Sequence, residues 1–296
     1  MSEPVLVTGG GGFAGRHLLA LLPRAVAPSR DELDLLDAPA VLAAVRDARP
    51  ATVFHLAALA SVQRSWESPA ETLVANLRMT AHLLEAVRAE APEATVLVTS
   101  SGEVYGPPER LPVTEDARLR PQNPYAVSKA ACDLLAGQYA DAFDMHIVRT
   151  RAFNHAGPGQ GAEYVIGTLT RQVAEAEAAG ASAVVLRTGN PDSARDFTDV
   201  RDVVRAYHAA AELPAGVYNV CSGRATSVRD LVELVSRVST LPVSHEVDPE
   251  RLRAHDVPEL RGSAERLRAA SGWRPAIPLE RTVADALEAW RRELGA

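Results

Sequence analysis

A short apolar run, Val5-Leu6-Val7, ends in Thr8-Gly9-Gly10-Gly11-Gly12-Phe13-Ala14-Gly15 and passes at once into a helical pattern over Phe13–Leu22. Glycines at 9, 12 and 15 fit a G-x-x-G-x-x-G loop. A loop without side chains lets the backbone turn tightly and approach a pyrophosphate, whose charge then meets the helix N-terminus. Few other arrangements place a strand, this loop and a helix in that order. Gly9, Gly12, Phe13, Ala14 and Gly15 are therefore expected to bind a dinucleotide.

Beyond this loop the chain keeps a matching rhythm. Strands are expected at Ala25–Ala27, Thr52–Leu56, Thr95–Val98 and His146–Arg151, alternating with helices at Ala38–Arg46, Thr72–Arg88 and Pro124–Tyr139. That alternation implies a doubly wound parallel α/β sheet of Rossmann type, with helices on both faces. Beyond Gly157 the character changes to Gly- and Pro-rich loops, one strand at Ala183–Arg187 and a last amphipathic helix at Thr282–Leu294. The expected division is a cofactor domain over 1–156, rejoined by about 195–220, and a smaller mixed α/β substrate lobe over 157–194 and 221–296.

The choice of dinucleotide turns on the segment after the second strand, where an NAD site carries an acidic residue for the ribose hydroxyls. Here Ala25–Ala27 is followed by Pro28-Ser29-Arg30, with Asp31 and Glu32 only after them. The hydroxyl of Ser29 and the planar, permanently charged fork of Arg30 suit a 2′-phosphate, so NADP(H) is expected rather than NAD(H). Asp34 and Leu35 are expected to face the adenine.

Tyr125 and Lys129 stand one helical turn apart and share a face. A free phenol has a pKa of roughly 10, and a neighbouring ammonium favours the phenolate, so the pair is suited to proton exchange with a reacting oxygen. Ahead of them, Thr99-Ser100-Ser101-Gly102-Glu103-Val104-Tyr105-Gly106 follows a strand, where open α/β sheets bind ligands. A hydroxyl there can hold the oxygen that Tyr125 protonates.

Composition narrows the partners. The 296-residue chain has a net charge of −7, which argues against nucleic acid, and its longest apolar runs fall short of a membrane span. Its two cysteines, Cys132 and Cys221, lack metal-ligand spacing, so neither a zinc site nor a disulfide framework is expected. With Met1 running directly into a strand, no signal peptide is expected either, and the reading is cytoplasmic.

On these residues, together with His55-Leu56-Ala57-Ala58, Asn76, Phe153-Asn154-His155 and Arg195-Asp196-Phe197, the chain resembles the extended short-chain dehydrogenase/reductases of the nucleotide-sugar branch. The resemblance covers nearly its whole length. It implies that Ser101, Tyr125 and Lys129 form a catalytic triad, with Tyr125 the acid/base. It also implies that Leu56, Ala57, Ala58 and Asn76 contact the cofactor. The later segments Asn154–Gln160, Arg195–Val204, Tyr218–Gly223 and Asp256–Gly262 are most similar to GDP-4-keto-6-deoxy-D-mannose reductases, and GDP-mannose 4,6-dehydratases share parts of them. A nucleotide-diphosphate sugar, GDP-linked, is thus the expected substrate, with Asn154, Arg195 and Arg253 contacting it.

Dehydratases of this branch place a Glu at the end of the third strand, preceded by Asp or a hydroxyl residue. Here Glu103 keeps the carboxylate but Gly102 offers no acid, which favours reduction over elimination; a dTDP sugar, a dehydratase, a C4 epimerase and a non-catalytic nucleotide sensor are the alternatives. The same resemblance implies a homodimer formed through Thr72–Arg88 and the helix bearing Tyr125.

Overall fold

The computed structural model describes residues 3–251 and 257–295. Strand β1 (Val5–Thr8), helices α1 (Phe13–Leu21) and α2 (Ala38–Ala48), and β2 (Thr52–His55) open the chain. Then come α3 (Val62–Glu67), α4 (Pro69–Glu90), β3 (Thr95–Thr99), a 3₁₀ turn at Gly102–Tyr105, α5 (Pro124–Phe143) and β4 (Ile147–Ala152). Several helices carry sequence-encoded starts, α2 and α5 among them. Asp37 accepts from Ala40 N at 3.1 Å to cap α2, and Asn123 accepts from Ala126 N at 2.8 Å ahead of Pro124 to cap α5.

The second half alternates shorter pieces: β5 (Asn154–Ala156), α6 (Val165–Ala178), β6 (Val184–Thr188), β7 (Ala194–Asp199), α7 (Val200–Ala210) and β8 (Gly216–Val220). It ends with β9 (Ala225–Ser227), α8 (Val228–Val238), β10 (Val243–Val247), β11 (Glu259–Leu260), α9 (Glu265–Ser271) and α10 (Leu279–Leu294).

Five strands form one parallel sheet in the order β1-β2-β3-β4-β8. Because it is covered on both faces, its strands are buried along almost their whole length. Val5, Val7, Phe54, Leu97 and Val148 face Leu18 of α1 and Val203, Val204 and Tyr207 of α7. Leu6, Val53, Val96, Val98 and Ile147 face α2, α4 and α5 through Val41, Val45, Leu83, Leu84, Val87 and Ala136. The expected doubly wound parallel sheet is present.

One expected strand is not. Ala25–Ala27 makes a single bridge, Leu6 with Val26, between Pro23 and Pro28. Few residues separate the two prolines, and pairing runs only to β1 through Val7 N to Val26 O and Val26 N to Val5 O, both 2.8 Å.

The remaining strands build a mixed part beside the large sheet. β11, β7 and β5 run parallel with β9 antiparallel on β7, and β10 pairs β6. Its own core joins Ile166, Leu169 and Val173 of α6, Leu231 and Val235 of α8, and Val283 and Leu287 of α10. No helix among the described residues is long and apolar enough to cross a membrane.

A buried polar chain ties the first strands to α4. His55 Nδ1 lies 2.8 Å from Thr8 Oγ1 and Nε2 lies 3.1 Å from Thr80 Oγ1, while Thr80 donates to Asn76 O at 2.9 Å. Since the one Thr80 hydroxyl proton is used on Asn76, His55 Nε2 must be the donor and Nδ1 must accept from Thr8. Burial, helped by Lys129, pushes the His55 pKa down to about 3. The native imidazole thus stays neutral while the unfolded one takes a proton below its ordinary pKa of about 6.5. Its contribution is fully present above pH 6.5 and falls as pH drops from there towards 3. We predict that the stability advantage of the wild type over His55→Asn, from urea midpoints, narrows by about 1 kcal/mol per pH unit below pH 6.5. A constant difference between pH 7.5 and 5.5 would refute it.

Candidate active site

The carboxyl ends of the large sheet open into a cleft of about 880 Å³ that continues over the mixed part. At its base, Gly9 has φ +76°, and a Cβ on it would lie 2.6 Å from Ala57 N. A Cβ on Gly15 would lie 2.1 Å from Gly9 O. Loop, β2 exit and α1 therefore meet backbone to backbone, leaving a cradle only glycine permits. Gly12, at the N-cap of α1, supplies no side chain to the first-turn N–H groups. Those donors are available to an anion. Phe13 stacks on His155 of β5 at 5.8 Å and nearly parallel, closing one wall.

Opposite the loop stand the residues with proton chemistry. Ser101, Glu103, Tyr125 and Lys129 all line the cleft, as do Leu56, Ala57 and Ala58. Burial, reinforced by the phenol of Tyr164, pushes the Tyr125 pKa above its ordinary value, and a hydrogen bond with Ser101 pulls it back in part. This differs from the lowered phenol expected from sequence. Desolvation is the largest influence on the phenol, and Lys129 is itself held below its usual range by burial. Tyr125 is thus held as the protonated acid.

Glu103 is positioned from two sides: its backbone N–H donates to Ser101 Oγ at 3.2 Å, and its carboxylate accepts from Asn123 Nδ2 at 3.3 Å. The capping residue of α5 thereby also orients the cleft carboxylate, which sequence reading missed. The packing role of Phe153, which the sequence shows only as part of a motif, is a second. A Cβ on Gly102 would fall 2.9 Å from its ring, and one on Gly262 only 2.5 Å. The ring, 3% exposed, is wedged between two glycines and stacks on Tyr105 at 6.2 Å. No side chain fits at position 102 while Phe153 sits there.

Asn154 and Arg195 line the cleft farther out, with Arg187, Thr188, Asn190, Glu250 and Arg251 at its end. Arg195 Nη1 donates to Ser193 Oγ, Ala194 O and Val257 O at 2.7–2.9 Å. The next residue, Asp196, is fully buried and accepts from the N–H groups of Ser222, Gly223 and Gly262 and from the Ser222 hydroxyl. This fixes β7 against the loops flanking Arg195.

Other residues singled out in the sequence lie elsewhere. Asn76 is buried outside the lining, bonded through Oδ1 to Leu59 N and through Nδ2 to Leu59 O and Ser128 Oγ. It shapes the segment after β2 from behind. Leu35 is buried in the core with Leu33 and Val41, and Asp34 accepts from Leu36 N at 2.9 Å in a local turn. Ser29 donates its N–H to Glu32 at 2.8 Å, and Arg30 is exposed on the same loop without an ion pair among the described residues. Arg253 lies outside the described residues. Among the described residues, no cluster of His, Cys, Asp and Glu is placed to hold a metal ion.

Comparison with known proteins places the chain in a family. Residues 30–286 match the family model described as GDP-mannose 4,6 dehydratase. The chain is 37% identical to the GDP-6-deoxy-D-mannose reductase of Pseudomonas aeruginosa over 98% of both chains. It is 31% identical to a UDP-glucose 4-epimerase of Mycolicibacterium smegmatis over 88% of this chain and 82% of that one. Among solved structures, RMD from Pseudomonas aeruginosa complexed with NADPH superposes with a TM-score of 0.89 at 34% identity, covering 99% of this chain and 100% of the other. By this sequence match and by its parallel-sheet fold, the chain belongs to the GDP-mannose 4,6 dehydratase family of short-chain dehydrogenase/reductase-like enzymes.

Proposed function

We propose that the chain reduces the C4 ketone of a nucleotide-linked 4-keto-6-deoxyhexose, converting GDP-4-keto-6-deoxy-D-mannose to GDP-6-deoxy-D-mannose with NADPH. The family includes dehydratases and reductases, and the observation that carries the choice is the wedge of Phe153 against Gly102. Elimination of water across C5 and C6 needs a base for the C5 proton and an acid for the departing hydroxyl. Glu103 can serve as the first. The adjacent position for the second is filled by an aromatic ring, which leaves reduction. The likeness to the Pseudomonas aeruginosa reductase supports the same choice.

The cradle fits a dinucleotide: Gly9, Gly12 and Gly15 admit a pyrophosphate to the N-terminus of α1, and Leu56, Ala57 and Ala58 flank it. Ser29 and Arg30 are suited to a 2′-phosphate, in line with the NADPH held by the Pseudomonas aeruginosa neighbour. When bound, NADPH supplies a hydride for C4. Ser101 donates a hydrogen bond to the ketone oxygen, and Tyr125 gives up its proton as that oxygen becomes an alkoxide. An alkoxide is a stronger base than a phenolate, so transfer runs downhill even from a phenol raised by burial. Lys129 then stabilises the phenolate and holds the nicotinamide ribose. Asn154 and Arg195 hold the sugar and diphosphate, and Glu103 contacts a sugar hydroxyl. A homodimer belongs to the same reading, supported by the outward faces of α4 and α5, where Val74, Val127 and Leu134 are all more than 40% exposed.

Purified protein given GDP-4-keto-6-deoxy-D-mannose should oxidise NADPH, and NADH more slowly, with a GDP-6-deoxyhexose as product. Dehydration of GDP-mannose with no oxidation of either cofactor would overturn the proposal. Within it, Tyr125→Phe should lower turnover by roughly 10²- to 10⁴-fold, the range of general acid catalysis, while NADPH binding is kept. Near-normal turnover in that variant would remove Tyr125 from its role.

A further inference from the structure

Two phenols in the cleft, Tyr164 and Tyr207, have no task in the reaction above, and Tyr207 is the more deeply buried. Tyr207 stands on α7, 2% exposed, packed with Val7, Leu18, Phe54 and Ala152 under the strand ends, with Ala14 and Leu56 at the edge of the same cluster. It nevertheless lines the cleft, with Thr99, Ser100 and Ala152. Its hydroxyl makes no hydrogen bond among the described residues, unlike the buried Tyr105, which donates to Asn219 Oδ1 at 2.7 Å, or Tyr218, which donates to Pro214 O at 3.0 Å. Its ring is buried while its hydroxyl opens to the cleft, so the oxygen is free to pair with a bound ligand in place of water. A polar tip left unpaired at the floor of a ligand cleft calls for a partner on the ligand.

The surroundings identify that partner. The glycine loop already offers N–H groups to a pyrophosphate. The adenosine end is expected on the far side of β1, along the Ser29–Arg30 loop. Tyr207 lies on the opposite side, close enough to Tyr125 for the charge of one phenol to raise the pKa of the other. What reaches this region is the nicotinamide ring, whose neutral hydrogen-bonding group is its carboxamide. Burial keeps Tyr207 protonated, so it acts as a donor and needs an acceptor.

We propose that Tyr207 is a positioning residue whose hydroxyl donates a hydrogen bond to the carboxamide oxygen of the nicotinamide, fixing the ring over Ala152 for transfer to the sugar. The inference rests on the dinucleotide reading of the cleft. It explains why a tyrosine stands on a face of α7 otherwise filled by small or aliphatic residues, Val203, Val204, Ala206 and Ala210, all buried.

Tyr207→Phe removes only the oxygen. Three probes are compared on wild type and variant by calorimetry: NADPH, 2′-phosphoadenosine diphosphoribose, which lacks the nicotinamide, and GDP. Loss of one hydrogen bond should weaken NADPH binding roughly three- to tenfold and leave the other two unchanged. The thermal midpoint without ligand should not fall, since no protein contact is lost. Equal NADPH affinity in both proteins, an equal loss for the nicotinamide-free fragment, or a lowered ligand-free midpoint would each overturn the inference. Failure of the wild type to bind NADPH would instead strike the dinucleotide reading beneath it.

Discussion

A backbone contact too close for any side chain sets the geometry of the cleft. Gly9 and Gly15 bring the end of β1, the segment leaving β2 and the first turn of α1 within the space of one Cβ. With that approach, the N-terminus of α1 points into the crevice between parallel strands that diverge to opposite helical layers. The layers can be held this tightly because Thr8, the residue before the loop, is anchored through His55 and Thr80 to α4. A neutral imidazole is the link, so the anchor brings no charge beneath the loop.

The other wall depends on a second exclusion. Phe153 fills the space that Gly102 and Gly262 leave open, and so joins the turn after β3 to the end of β11. Behind it, Tyr105 donates to Asn219 of β8, and Arg151 of β4 binds Tyr105, Asp133 and Glu115 O in one buried network. The carboxylate of Asp133 is completely buried, and its pairing with Arg151 at 2.8 Å offsets the desolvation of both charges. The effect on chemistry is indirect. Packing that stiffens this wall also keeps an acid from standing beside Glu103.

Legibility in the sequence followed the length of the elements and the number of faces they bury. Strands such as Thr95–Thr99 are covered on both sides and read as unbroken apolar runs, and α4 and α5 are long enough to show their period. The three-residue β5 and β9 and the two-residue β11 have no pattern to show, because their pairing is set by β7 in the folded protein. The start of α8 did carry a signal, since Ser227 and Asp230 cap it reciprocally. At the site, motif residues with chemistry in their own side chains, Ser101, Tyr125 and Lys129, came together in the cleft. Asn76 and Leu35 lie behind it, since a motif position records a requirement without saying whether contact or support creates it. The wedge role of Phe153, quoted only as part of a motif, and the place of Tyr207 escaped because a lone aromatic looks like core until the neighbouring glycines or the unpaired hydroxyl are seen.

Burial acts on every one of the shifted groups around the reaction centre in the same sense. It raises the phenols of Tyr125, Tyr164 and Tyr207 and lowers Lys129 and His55, in each case as the largest influence. The resting site is thus biased towards its uncharged forms. The same low polarity that disfavours an isolated phenolate strengthens its attraction to a nearby ammonium. In the proposed reduction, negative charge that forms on the ketone oxygen and passes to Tyr125 would give Lys129 an anionic partner. Stabilisation then falls on the charge created by the reaction more than on the resting enzyme, which is the condition for a group to lower the barrier rather than only to bind.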